Sequence, residues 1–179
     1  MVGLGLRYKT LWFATEAVLQ MKKPRSLRGT TGVAGRQRYL QPTQEAGRAL
    51  VNRNISGTVV MLNLLRFRKV ADYSATPNLA PKNPISGAAA YRLYAEHTAP
   101  HLEKSGGEMV FLGKGGTFLI GPSDERWDAV MLIRQQSVSA FMAFGSNEAY
   151  LVGIGHRTAA LEDSRLLPVV EGEIAELFI

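Results

Sequence analysis

The chain has 179 residues and no cysteine. That excludes disulfides, thiolate metal sites and a cysteine nucleophile, and it fits a reducing compartment, so a cytoplasmic location is expected. Long apolar runs are also missing. None approaches the ~18 residues that a membrane-spanning helix needs, so no membrane association is expected. There is no Ser-His-Asp pattern, no P-loop, no dinucleotide fingerprint and no zinc motif. Acidic residues are scarce at the start: the first 38 residues hold one, Glu16, against eight Lys/Arg.

That imbalance accounts for the pI near 9.8. The remaining chain has 13 Lys/Arg and 14 Asp/Glu, so it is close to neutral. Any attraction to polyanions rests on the arm, and no nucleic-acid partner is expected. The length and the 46% hydrophobic content fit one globular domain with an appendage. Residues 1–38 are read as a basic, disordered arm and residues 39–179 as the domain. The arm also admits a transit peptide, or a translation start placed upstream of Met21.

What is present is led by residues 58–68, Thr-Val-Val-Met-Leu-Asn-Leu-Leu-Arg-Phe-Arg. This is a buried strand interrupted by one amide, Asn63, and an unpaired buried amide costs ~1–3 kcal/mol. Before it, residues 42–53 read as a short helix capped by Thr43. After it, residues 72–87 carry Pro77, Pro81, Pro84 and Gly87 and form a long loop of the kind that often serves as a lid. Ser86 caps a helix over about 87–105, with Tyr91, Ala95, Thr98 and Leu102 toward the core. Pro100 should kink it. Residues 108–113 and 117–120 read as one bent strand with a glycine bulge, and 127–134 as the third strand. Ser137 caps a helix to about 144, and Asn147 opens another in which Tyr150, Ile154, Arg157 or Thr158 and Leu161 share a face. Residues 165–170 read as an edge strand, because Pro168 cannot donate to a ladder. The tail over 174–179 is expected to pair or pack.

The order β-α-β-β-α-β predicts an α+β, ferredoxin-like antiparallel sheet with helices on one face. The first strand is apolar on both faces: Val59, Met61, Asn63, Leu65 and Phe67 on one, Val60, Leu62 and Leu64 on the other. No second helical layer is available for the bare face. A second copy of the sheet would cover it, which predicts a homodimer, with Asn63 turned toward the cavity the two copies enclose.

Several of these residues together resemble the domain-of-unknown-function family 1330, of the dimeric α/β-barrel superfamily. They are residues 59–67, Tyr91-x-x-Tyr94, Gly106-Gly107, Gly113-Lys-Gly-Gly116, Trp127-Asp128, Ser137-x-x-Ala140-Phe141, Tyr150 and Arg157. The resemblance spans about 42–170. It implies a dimeric α/β barrel and a small-molecule pocket between the sheet and its helices or loops. The superfamily includes muconolactone isomerases, cofactorless quinol monooxygenases and haem-binding chlorite dismutase relatives; the family itself has no settled reaction. Gln135-Gln136 stands where relatives carry an aromatic-Pro pair, and the 72–87 loop is long, so both reshape the pocket rim.

Asn63, His97 and Arg157 are the candidate catalytic residues, as hydrogen-bond donor, proton carrier and anion holder. Met61, Tyr94, Lys114, Trp127, Arg134 and Tyr150 are candidates for the pocket wall. Arg66 is expected to pair with Asp128, Glu162 or Asp163. His97 and His101 are spaced i, i+4, but the only other histidine is His156, so no metal is expected, nor any cofactor. The order also matches the RNA-recognition motif, yet Val60 stands where a stacking aromatic is required. The reading is therefore a small-molecule pocket in a dimer, acting as a cofactorless oxygenase or isomerase on an aromatic or enolisable acid. The alternative is a ligand-binding or structural dimer without catalysis.

Overall fold

The computed structural model describes residues 37–173. The expectations for residues 1–36 and for the tail beyond 173 lie outside the described residues. The elements run α1 (Gln44–Asn52), β1 (Val59–Phe67), α2 (Gly87–Lys104), β2 (Glu108–Lys114), β3 (Ala129–Gln135), α3 (Val138–Gly145), α4 (Glu148–Leu151), α5 (Ile154–Ala160) and β4 (Leu161–Val169). The four strands form one sheet in the order β2-β3-β1-β4, with every neighbouring pair antiparallel. This is an α+β arrangement consistent with a ferredoxin-like fold.

Three helices begin where a hydroxyl is placed to cap them. Thr43, Ser86 and Ser137 accept the N–H of Ala46, Ala89 and Ala140 at 3.1, 3.1 and 3.0 Å. Helix α2 continues through Pro100 to Lys104.

β1 is central, which explains its apolar character on both faces. Val59, Met61 and Leu65 are buried in two clusters beneath the helices: Leu65 with Ala90, Tyr91, Met131 and Leu161, and Val59 and Met61 with Leu50. Asn63 alternates with them, so it faces the helical layer and not the bare face. It lies between Met131 and Leu166 of the flanking strands. Its carboxamide nitrogen donates to the Met61 carbonyl at 2.9 Å, so the amide has a partner within its own strand.

The opposite face carries Leu62, Leu64, Val130 and Leu132, with Phe111 and Leu167 half exposed at its margins. None of the helix residues in the two core clusters reaches it.

Two expected boundaries moved. β2 ends at Lys114, and its irregularity falls between Met109 and Phe111 instead of at Gly113. Thr117 makes only an isolated bridge to Arg126, and Leu119 and Ile120 stand almost fully in solvent. β4 begins at Leu161, four residues early. A bulge at the Arg66/Phe67 step lets Leu161 pair with Phe67, which draws the chain out of the helix. As expected, β4 is an edge strand. Pro168 sits in it, with its carbonyl taken by Arg53 Nη1 at 2.8 Å.

The long loop after β1 is fastened down. The Ala71 N–H donates to Ile85 O, closing its base, and Asp72 N–H donates to Ala159 O, both at 2.9 Å. Tyr73 Oη meets His156 Nδ1 at 2.8 Å. A hollow of about 300 Å³ remains under it, lined by Val70, Tyr73, Pro81, Lys82 and Ile85. Among the described residues no helix is long and apolar enough to cross a membrane.

Candidate functional site

Helices α2 and α5 lie side by side over one end of the sheet, and α4 reaches across α2. At that junction four aromatic rings form a chain. Tyr91 meets Tyr94 edge-on at 5.3 Å, Tyr94 meets Tyr150 at 6.3 Å, and Tyr150 packs on Phe144 at 4.4 Å. The Tyr94 and Tyr150 hydroxyls are 3.0 Å apart. Burial, followed by the neighbouring Tyr94, pushes the Tyr150 phenol up; Arg157 only partly offsets this. Burial also raises Tyr91. Both phenols therefore stay neutral O–H donors across the physiological range.

His97 lies beside the pair. Its Nε2 is 3.0 Å from the Ala149 carbonyl and 3.1 Å from that of Tyr150. A nitrogen facing two carbonyl oxygens must carry the proton, so the neutral ring keeps its lone pair on Nδ1. The ring rests on Gly153, where a Cβ would meet its Cδ2 at 2.1 Å. Gly153→Ala is expected to push the imidazole out of place and to cost ~1–3 kcal/mol through overpacking. Urea denaturation would measure the loss, and an unchanged midpoint would show that the ring moves freely.

Arg157 donates to the Leu40 carbonyl and, at 3.3 Å, to Ser164 Oγ. It thereby pins residues 39 and 40 to the sheet edge, while its charge acts on Tyr91 and Tyr150. His156, behind it, is held below its ordinary pKa by burial and then by His97. Its Nδ1 shares a hydrogen bond with the Tyr73 hydroxyl.

A groove of about 300 Å³ adjoins the rings, bounded by His101, Lys104, Ser105, Ala143, Phe144 and Asn147. Phe144 walls the groove and also stacks on Tyr150. His101 lies 5.1 Å from His97, ring to ring. The rim therefore carries Lys104 and the His101 imidazole, a setting that favours an acidic ligand. Among the described residues no cluster of three or more His, Asp or Glu is placed to hold a metal ion.

The structure thus brings together His97, Arg157, Tyr94 and Tyr150. Asn63 and Met61 lie on the same side of the sheet, Met61 inside the core. Trp127, Arg134 and Lys114 stand apart. Trp127 lies against Arg66 and Arg165, Arg134 bridges Glu108 and Glu171 at 3.0 and 3.2 Å, and Lys114 is exposed at the end of β2. Phe144 and the groove were not foreseen. They arise from a contact across the α3/α4 turn, which has no periodic signature in the chain.

No family model and no curated protein matches the chain. Solved structures do, two of them as follows. One, described as "Crystal structure of methylated RPA0582 protein", is 34% identical and covers 76% of this chain and 97% of its own, with a TM-score of 0.69. This chain belongs to the RPA0582 family. The other, the RPA0582 protein of unknown function from Rhodopseudomonas palustris, is 34% identical over 76% of this chain and 99% of its own, with a TM-score of 0.67. Nothing in either description states a reaction for the RPA0582 family, so the chemistry must be argued from the residues.

Proposed function

We propose that the protein is a homodimer with a small-molecule pocket on the helical side, and that it acts without a cofactor as an isomerase or oxygenase on an aromatic or enolisable acid. The supporting observation is the hydroxyl pair. Two phenols joined by one hydrogen bond leave one O–H proton without an acceptor among the described residues. In an apolar site beside the Arg157 charge, that proton suits a substrate oxygen that becomes negative as an enolate forms. His97 Nδ1 is the base that takes the carbon-bound proton. His101 and Lys104 at the groove mouth receive the carboxylate.

The dimer follows from the apolar bare face. Two such faces packed together would form the barrel implied by the resemblance to family 1330. One observation favours the second reading, a binding dimer without catalysis: Asn63, His97 and Arg157 each bond to a backbone carbonyl.

Tyr94→Phe separates the two. With phenylpyruvate, proton exchange in deuterated water is expected to fall by ~10²-fold, the effect of losing one oxyanion donor, while the thermal midpoint stays put. Hydroquinone with an oxygen electrode tests the oxygenase branch. Ligand-induced stabilisation with neither exchange nor oxygen uptake would leave the binding dimer.

A further inference from the structure

The bare face of the sheet holds a buried guanidinium that forms no ion pair among the described residues. Arg66 is 8% exposed, and its Nη2 is buried with no hydrogen-bond partner. Its Nε donates to the Arg126 carbonyl at 3.0 Å. The expected ion pair with Asp128, Glu162 or Asp163 does not form among the described residues. Arg126 takes Asp128, and Arg165 takes Asp163 at 2.8 Å. Asp163 also accepts the N–H of Tyr39 and of Ser164, at 2.8 and 3.0 Å. Burial alone would raise its carboxyl, but these bonds outweigh burial and hold it below the usual range, so it stays charged and engaged. Glu125 accepts the Trp127 indole N–H at 3.2 Å.

The guanidinium of Arg66 lies 5.3 Å from the centre of the Trp127 ring, and that of Arg165 lies 5.0 Å from the same ring. Arg165 is also 4.6 Å from the Tyr39 ring, so two aromatic rings fix its position. Arg66 pairs in register with Asp163, which places Arg165 diagonally across from it on the same face. Stacking on an indole satisfies the flat face of a guanidinium. It does nothing for the N–H bonds that point outward from the edge. Those require an acceptor, and a carboxylate or phosphate is the shape a guanidinium fork fits.

We propose that the bare sheet face carries an oxyanion site between Arg66 and Arg165 over Trp127, which takes the carboxylate or phosphate group of a small molecule. The site lies on the opposite side of the sheet from the tyrosine pair and does not depend on any reaction there.

The test is isothermal titration and thermal melting with inorganic phosphate and, separately, acetate, at constant ionic strength. The full chain is compared with Arg66→Met and with Arg134→Met, whose guanidinium already has two carboxylates. The wild-type midpoint is expected to rise with one or both anions. Arg66→Met should bind at least tenfold more weakly, yet melt no lower than wild type without anion, because it removes a buried charge whose Nη2 has no acceptor. Arg134→Met should bind as wild type does. Should Arg66→Met fail to fold, Arg165→Met must show the same tenfold weakening. Equal titrations for wild type and Arg66→Met overturn the site, as does the absence of saturable binding to wild type. So does a variant that loses only self-association, since the acceptor would then be a carboxylate of a second copy.

Discussion

Gly87→Ala should lower stability by about 3 kcal/mol or more, which for a domain of this size is a fall in Tm of about 6–12 °C. A Cβ at this position would lie 2.4 Å from the Ala160 carbonyl oxygen, 2.5 Å from that of Arg68 and 2.7 Å from the Arg68 nitrogen. All three are backbone atoms, and no side chain can swing aside. The same atoms are tied to each other. Gly87 N–H donates to Arg68 O at 3.0 Å, and Arg68 N–H donates to Ala160 O at 2.9 Å. A methyl group here must separate the start of α2 from the ends of β1 and α5, which together carry the tyrosine site. Gly116→Ala is the control, because a Cβ there meets nothing within 4 Å. Calorimetry on both variants decides the matter, and a Gly87→Ala midpoint within about 2 °C of the parent would show that the three segments part easily.

Leu132→Asp should convert a dimer into a folded monomer. Leu132 lies on the bare face in the middle of the sheet, paired with Leu62 in β1 and with Phe111 in β2. In the single chain it is only half-buried, so water can reach a carboxylate there. In a sheet-to-sheet dimer the substitution is buried twice, once from each copy. Burial of an uncompensated charge costs several kcal/mol, so the dissociation constant should rise by at least about 10³-fold. Light scattering after gel filtration gives the mass, and far-ultraviolet circular dichroism checks the fold. A wild-type chain that runs as a monomer at micromolar concentration would end the dimer reading, and so would an undiminished Leu132→Asp dimer.

The features legible in the sequence were those set by neighbouring residues. The apolar run from Val59 identified the central strand, and Thr43, Ser86 and Ser137 marked three helix starts, because capping is a contact over three residues. Longer-range effects were hidden. Leu161 continued the helical spacing of Tyr150 and Ile154, yet pairing with β1 made it a strand residue. Asn147 opened not one helix but two short ones, divided at Gly153, where the His97 ring occupies the space a Cβ would need. Tyr94 and Tyr150 were each identifiable as candidates, but their hydroxyl contact joins residues 56 apart. The side of the sheet that Asn63 faces follows from which face the helices cover, and a strand apolar on both sides does not reveal that.

The β4 margin determines how copies of this chain can associate through their backbones. The outward groups of Ser164 are taken: its N–H donates to Tyr39 O at 3.1 Å. Pro168 has no N–H to offer, and Arg53 holds its carbonyl. Among the described residues, these obstructions have no counterpart along β2, the other sheet margin. A fibre grown through strand edges needs two free margins on every unit, and β4 is obstructed at Ser164 and Pro168. Edge-to-edge growth beyond a β2–β2 pair therefore meets the obstructed β4 margin.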